Sequence, residues 1–352
     1  MPTAGDGFEA VPLDGTRALA VRAAIAYALC AKRADPEVDV SSAMAIVDRH
    51  LDIHVERSLA VRATYGILIP ELLMLDSAWT AQHLDAIFPT DTDQAAYWRA
   101  AWAALVERQW QTADTWTLLN SVFGRAIDDL DPTATDQYAV ARATNLGHHL
   151  LRRYWFGTLT LTDQDQLLQR FYRNVPADVA AQLTRSVGMN LPKDEPLETA
   201  LSGRLKALWK YRIDSVDLAG SDPRELADFD RWFVSGAFDD TWSLQQLLAV
   251  LKRCRDVELD PQTLRRLAEL SATHPLPCLA IIDRWLENEP DYWALSRRLE
   301  SLRTILEAGT AAGAPEAALA KKIVSVLLEL HGIDLRDSLT PPTAVSPPTA
   351  ES

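Results

Sequence analysis

Histidine, cysteine and clustered aspartate are the residues of this 352-residue chain with the strongest claim to chemistry. His50 and His54 stand four apart, beside Asp48 and Asp52, on a predicted helix. That spacing sets two imidazoles on one helix face and suits a divalent metal. No H-E-x-x-H accompanies them and no third ligand follows from spacing, so two ordinary helix-surface histidines are the stronger reading. His148 and His149 are neighbours whose rings diverge: one is expected to pack or hydrogen-bond, the other to meet water. Catalysis there would need a serine or cysteine nucleophile in reach. Cys30, Cys254 and Cys278 lie far apart or lack metal spacing, which favours neither zinc nor a disulfide framework. Aspartates gather at predicted turns (Asp91/Asp93, Asp128/Asp129/Asp131, Asp163/Asp165, Asp239/Asp240). None has the D-x-D-x-D-G register of a calcium loop, and helix capping accounts for them. None of the seven lysines follows G-x-x-x-x-G, and G-x-G-x-x-G does not occur. The chain is therefore not itself a P-loop enzyme. We expect no catalytic residue, no cofactor and no metal, with His50 and His54 the weak exception.

Eleven tryptophans are many for this length. Trp98 and Trp102 are four apart and share a helix face, while Trp79, Trp116, Trp155 and Trp209 fall within predicted helices and Trp110 falls at the end of one. Aromatic platforms for single-stranded nucleic acid combine such rings with basic grooves. This chain has 35 Lys+Arg against 49 Asp+Glu, a formal charge of -14, so nucleic acid is not its expected partner. Most of the rings are read as helix–helix packing, each burying about 150–250 Å². A minority serve as anchors for a protein partner, and Trp98, Trp102 and Trp293 are the expected ones.

The elements that must position these residues are helices. Leu, Ala, Trp and Val recur at a spacing of three to four, and alternating valine-rich runs are almost absent. Helices are predicted at 17–33, 41–56, 58–74, 76–88, 94–109, 113–129 and 135–156, then at 162–174, 177–189, 196–217, 223–234, 242–254, 261–273, 276–288, 291–308 and 315–331. Asp222-Pro223 and Asp260-Pro261 pair a capping carboxylate with proline at the first helical position. Thr135 and Thr241 are further cap positions, and Gly157 and Gly236 are placed to end helices in the left-handed conformation. The expected fold is all-α: antiparallel helical hairpins stacked as a degenerate α-solenoid of the HEAT/TPR kind. Residues 1–16 are expected to be flexible, 17–190 and 196–337 to form two helical halves, and the proline-rich 338–352 to be disordered. The dividing line falls at the polar, proline-rich Asn190–Pro196. Hydrophobic residues make up 48% and charged residues 24%, ordinary globular usage. No apolar run reaches the ~20 residues a membrane helix needs, and the start lacks a basic-then-apolar signal. A cytoplasmic protein with no membrane partner is expected.

Several stretches resemble the helical C-terminal regions of large bacterial ATP-binding proteins of the STAND type, the signal-transduction NTPases of antiphage defence. They are Y-G-I-L-I-P-E-L-L-M-L-D-S-A-W (Tyr65–Trp79), I-F-P (Ile87–Pro89), A-A-W-A-A-L (Ala100–Leu105), L-G-H-H-L-L-R-R-Y-W-F-G (Leu146–Gly157) and A-L-W-K-Y-R (Ala207–Arg212). The clearest is W-F-V-S-G-A-F-D-D-T-W-S-L-Q-Q-L-L (Trp232–Leu248). In that family the C-terminal array is similar to a sensor arm joined to an NTPase and an effector. This chain contains neither, so the resemblance carries over no catalytic residue. It implies a non-enzymatic helical-repeat module that binds protein, the detached sensor part of a defence NTPase. The implied partner is an NTPase encoded alongside it, or a phage protein. The corner formed by Trp232, Gly236, Phe238, Asp239, Asp240 and Trp242 is read as packing: glycine ends one helix, an aspartate caps the next, and the aromatics staple both. The alternatives are a metal-dependent enzyme using His50 and His54, and an inert structural remnant.

Overall fold

The computed structural model describes residues 15–108, 113–216, 223–255, 257–288, 290 and 292–340. Among them are nineteen α-helices, three short 3-10 helices and no strand, so the fold is all-α. None of these helices is long and apolar enough to cross a membrane. The chain forms two units, one running to Val179 and the other starting at Ala180.

The first unit is built around a close crossing. The Leu59–Ile67 helix packs on the Ala95–Val106 helix, and a Cβ added at Gly66 would lie 2.0 Å from the Ala101 carbonyl oxygen. Ala63, Ala100 and Ala104 keep the same seam narrow. The single helix expected at 58–74 is two, Leu59–Ile67 and Ile69–Leu75. Pro70 is the reason: it has no N–H for a continuous ladder and is tolerated in a first turn. The segment expected at 76–88 also divides, into Ser77–Gln82 and Leu84–Ile87. The Gln137–Trp155 helix buries Ala143, Leu146, His149, Leu150 and Tyr154. Its cap is Asp136, whose carboxylate accepts from the Ala139 N–H at 2.7 Å, rather than Thr135. Gly157 takes the left-handed conformation after it.

The second unit contains Thr199–Ser215, Asp240–Arg253, Pro261–Ser271, Pro275–Leu286, Leu299–Ala312 and Ala314–His331. Asp260 caps its helix as expected, accepting from the N–H groups of Gln262 and Thr263. Asp239, not Thr241, caps the Asp240–Arg253 helix. Asp222 lies outside the described residues; after Pro223 the chain runs as a 3-10 turn to Phe229 and then the short Asp230–Val234 helix. The Pro275–Leu286 helix packs against Asp240–Arg253 and Pro261–Ser271 before it and against Leu299–Ala312 and Ala314–His331 after it.

Three of the expected domain boundaries are placed differently. The division between units falls inside the Ala177–Met189 helix rather than at Asn190–Pro196. That loop is pinned within the second unit: the Asp194 N–H donates to the Ser235 carbonyl at 2.8 Å, and Arg266 reaches the Asp194 carboxylate at 3.4 Å. Order also extends into the predicted tail. Ser338 is buried in the Arg336–Leu339 turn against the Leu299–Ala312 helix, and Asp337 pairs with Arg303. Helix likewise begins at Thr16, within the expected flexible start. The remainder of both expected termini, residues 1–14 and 341–352, lies outside the described residues, as does Trp110.

Candidate functional site

A group of aromatic and basic side chains in the first unit lies on three helices, Ala95–Val106, Ala113–Asp128 and Gln137–Trp155. Phe123 meets Trp116 at 4.0 Å and the edge of Trp102 at 5.2 Å, between ring centroids. His149 joins this cluster, buried, with Nε2 3.0 Å from the Val106 carbonyl. A carbonyl only accepts, so Nε2 carries the proton. Burial holds the His149 pKa below its ordinary value, the Val106 bond opposing and the nearby His148 and Arg152 assisting. The ring is a neutral packing element while His148 is exposed, the division of roles that their adjacency implied.

Trp98 and Trp102 are not surface anchors. Their rings are 4% and 6% exposed and stack at 6.0 Å with 18° between planes. The Ala95–Val106 helix is covered on several sides, which its spacing alone could not reveal. Both indoles nonetheless line a cleft of about 480 Å³. Arg99, Arg125 and Arg142, one from each of the three helices, also line it. The Arg125 guanidinium lies 4.6 Å over the Trp98 ring and donates to the Pro89 carbonyl. Sequence reasoning missed these arginines, because 26 and 17 residues separate them and no local pattern joins them.

The metal geometry at His50 and His54 does not form. The helix carrying His50 ends at Leu51, and Asp52 turns extended, accepting the His54 N–H on its own carboxylate at 2.8 Å. The two histidines therefore do not share a helix face. Asp48 is engaged by the Trp79 indole N–H at 2.7 Å, and His50 Nδ1 sits 3.2 Å from Glu56. No group of three potential metal ligands occurs among the described residues. Glu56 is itself a buried junction, receiving Arg17 and the Ser58 N–H as well. Burial would raise its pKa, but the Ser58 N–H, His50 and Arg17 outweigh it and hold the carboxylate below its ordinary value.

Trp293 is the one of the three predicted anchors that stands free. It is 70% exposed beside Tyr292 at 56%, their rings 6.3 Å apart. The corner adopts its packing arrangement. Gly236 has φ +68°, Asp239 accepts from the Trp242 N–H at 2.8 Å, and Asp240 pairs with Arg266 at 3.0 Å. The Trp232 indole donates to the Thr184 carbonyl at 2.9 Å, while Trp232, Phe238 and Trp242 surround the fully buried Trp209.

A buried arginine and a buried ion pair also escaped the sequence reading. Arg62 donates to the Ala86 and Leu51 carbonyls at 2.7 and 3.0 Å, tying two helix ends together. Arg212 pairs with Glu225, both buried. The available signal is a charge inside an otherwise apolar periodic run, which for Arg62 is L-A-V-R-A-T-Y-G-I-L. No protein-family model, no curated protein and no solved structure matches this chain.

Proposed function

We propose that this chain is a non-enzymatic helical module that binds a protein partner, its stacked hairpins forming a degenerate solenoid. The observation that carries this reading is the exposed Tyr292–Trp293 pair. Among the described residues it is the one contacting pair of aromatic rings in which both are largely exposed. Large amphipathic rings left in water gain most by burial in a partner, and tryptophan and tyrosine dominate binding hot spots. The likeness of Trp232–Leu248 and the other stretches to STAND sensor arms supports an NTPase encoded alongside as partner, with a phage protein the second choice. A surplus of 14 negative charges favours a basic partner surface and speeds encounter with it.

The test is co-expression with a neighbouring reading frame bearing G-x-x-x-x-G-K-[ST], followed by co-purification and titration. Trp293→Ala is expected to weaken binding by about 1–2 kcal/mol or more without changing the helical circular dichroism. Unchanged affinity in that variant would remove Trp293 from the contact surface. Failure of the two chains to associate would remove the NTPase partner.

A further inference from the structure

The outer side of the first helix, Thr16–Ala34, is apolar where a solvent-facing helix surface is ordinarily polar. Its inner side, with Val21, Ile25 and Ala28 buried, packs on Ser41–Leu51, Leu59–Ile67 and Ile69–Leu75. The opposite side carries Leu19, Ala23, Ala26 and Cys30, all exposed, at the four-three-four spacing of one helix face. Leu19 is 49% exposed, and Tyr27, on one edge of that stripe, is 60% exposed. A helix apolar on both sides is characteristically buried on both. Among the described residues only the inner side of this one is covered.

The other edge of the stripe is basic. Arg22 and Arg33 stand eleven residues apart, about three helical turns or ~16 Å along the axis, so they line up beside it. Both are exposed, and neither makes an ion pair or hydrogen bond among the described residues. The helix holds no Asp or Glu, although the whole chain carries a charge of -14. Its two remaining cations are engaged: Arg17 pairs with the buried Glu56, and Lys32 donates to the Pro36 carbonyl at 2.7 Å.

We propose that this face docks a helix of a protein partner whose apolar stripe is bordered by carboxylates on one edge. Ala23, Ala26 and Cys30 are small, so a second helix can approach closely, while Leu19 and Tyr27 supply the larger apolar contact. Partner carboxylates three turns apart would meet Arg22 and Arg33 together. A second copy fits less well, because two-fold antiparallel pairing of this helix with itself sets all four arginines along one edge, like charge beside like. A membrane surface also fits less well, since one leucine and one tyrosine offer little apolar area to insert. Tyr292 and Trp293, in the second unit, play no part in this surface.

Fluorescence anisotropy of a labelled, lactam-stapled peptide of about 20 residues, titrated with the full chain, tests this. The peptide carries a Leu/Ala stripe with two glutamates three turns apart on one edge, and its counterpart has glutamines there. The glutamate peptide is expected to saturate one site per chain, several-fold tighter than the glutamine peptide at low salt. Arg22→Gln combined with Arg33→Gln should erase that difference. Ala23→Glu should weaken the glutamate peptide roughly tenfold or more with helical circular dichroism unchanged, since the position is exposed. Absence of saturation by the glutamate peptide would overturn the proposal, as would undiminished affinity in Ala23→Glu or a glutamate preference that survives in the double variant. Dimerisation of the chain that Ala23→Glu abolishes would overturn it in favour of a second copy. Co-sedimentation with phosphatidylserine vesicles that the double variant loses would overturn it in favour of a lipid surface.

Discussion

Two buried carboxylates give this protein opposite responses to pH. Asp230, in the first turn of its short helix, is pushed up to about 7 by burial and by the like charges of Asp260 and Asp228, with the Arg231 N–H and side chain opposing. Its folded pKa exceeds the unfolded value of about 3.9, so the folded state keeps the proton longer. Stability from this group is unaffected below about pH 4, falls as pH rises toward 7, and is level above. Asp230→Asn should therefore gain about 2 kcal/mol at pH 8 and nothing at pH 4 in urea titrations. A constant difference across that range would dismiss the assignment. Glu56 has the reverse sign. Its folded pKa lies below the unfolded value, so its contribution is present above about pH 4.5 and is lost as pH falls through the folded pKa. Glu56→Gln should cost about 1–3 kcal/mol at pH 7, and the cost should vanish in strong acid. Neither role is legible from spacing, because burial is set by residues distant in sequence.

At the scale of elements, the tightest constraint is the crossing at Gly66. Alanine there would improve helix propensity by about 1 kcal/mol. It would also drive a methyl into the Ala101 backbone, which cannot swing aside as a side chain can. The clash should win, with Gly66→Ala destabilising by about 2 kcal/mol or more in urea titration. A neutral result would mean that the two helices slide apart freely. Trp98 and Trp102 ride on the same helix, so any such shift should disturb the cleft they line along with stability. The spacing of these tryptophans made their shared face legible; that the face is buried follows from the helices packed around it.

The whole molecule divides where its contacts do. The Ala177–Met189 helix supplies the second unit with Thr184, which accepts the Trp232 indole proton, and Arg185, which pairs with Asp228 at 2.7 Å. A fragment of residues 176–340 should unfold cooperatively. One of residues 196–340 should lose about 3 kcal/mol or more, having an unpaired buried indole N–H and an exposed aromatic corner. Equal urea midpoints for the two fragments would restore the boundary at Asn190–Pro196. That loop looked like a linker because proline and charge usually mark one, but Asp194 docks against Gly236 and Ser235.

The helical nature of this protein was determined by the sequence itself: a three-to-four apolar period, aspartate caps such as Asp260, and left-handed glycines at Gly157 and Gly236 are local instructions. So was the Trp232–Trp242 corner, whose glycine, cap and aromatics lie within eleven residues. Tertiary structure alone decided that His50 and His54 part company, that Arg62 and Glu225 are core residues, and that three arginines share a cleft with two tryptophans. The physical reason is range. Hydrogen-bond and capping preferences act within a turn, whereas burial and charge proximity depend on which helices meet.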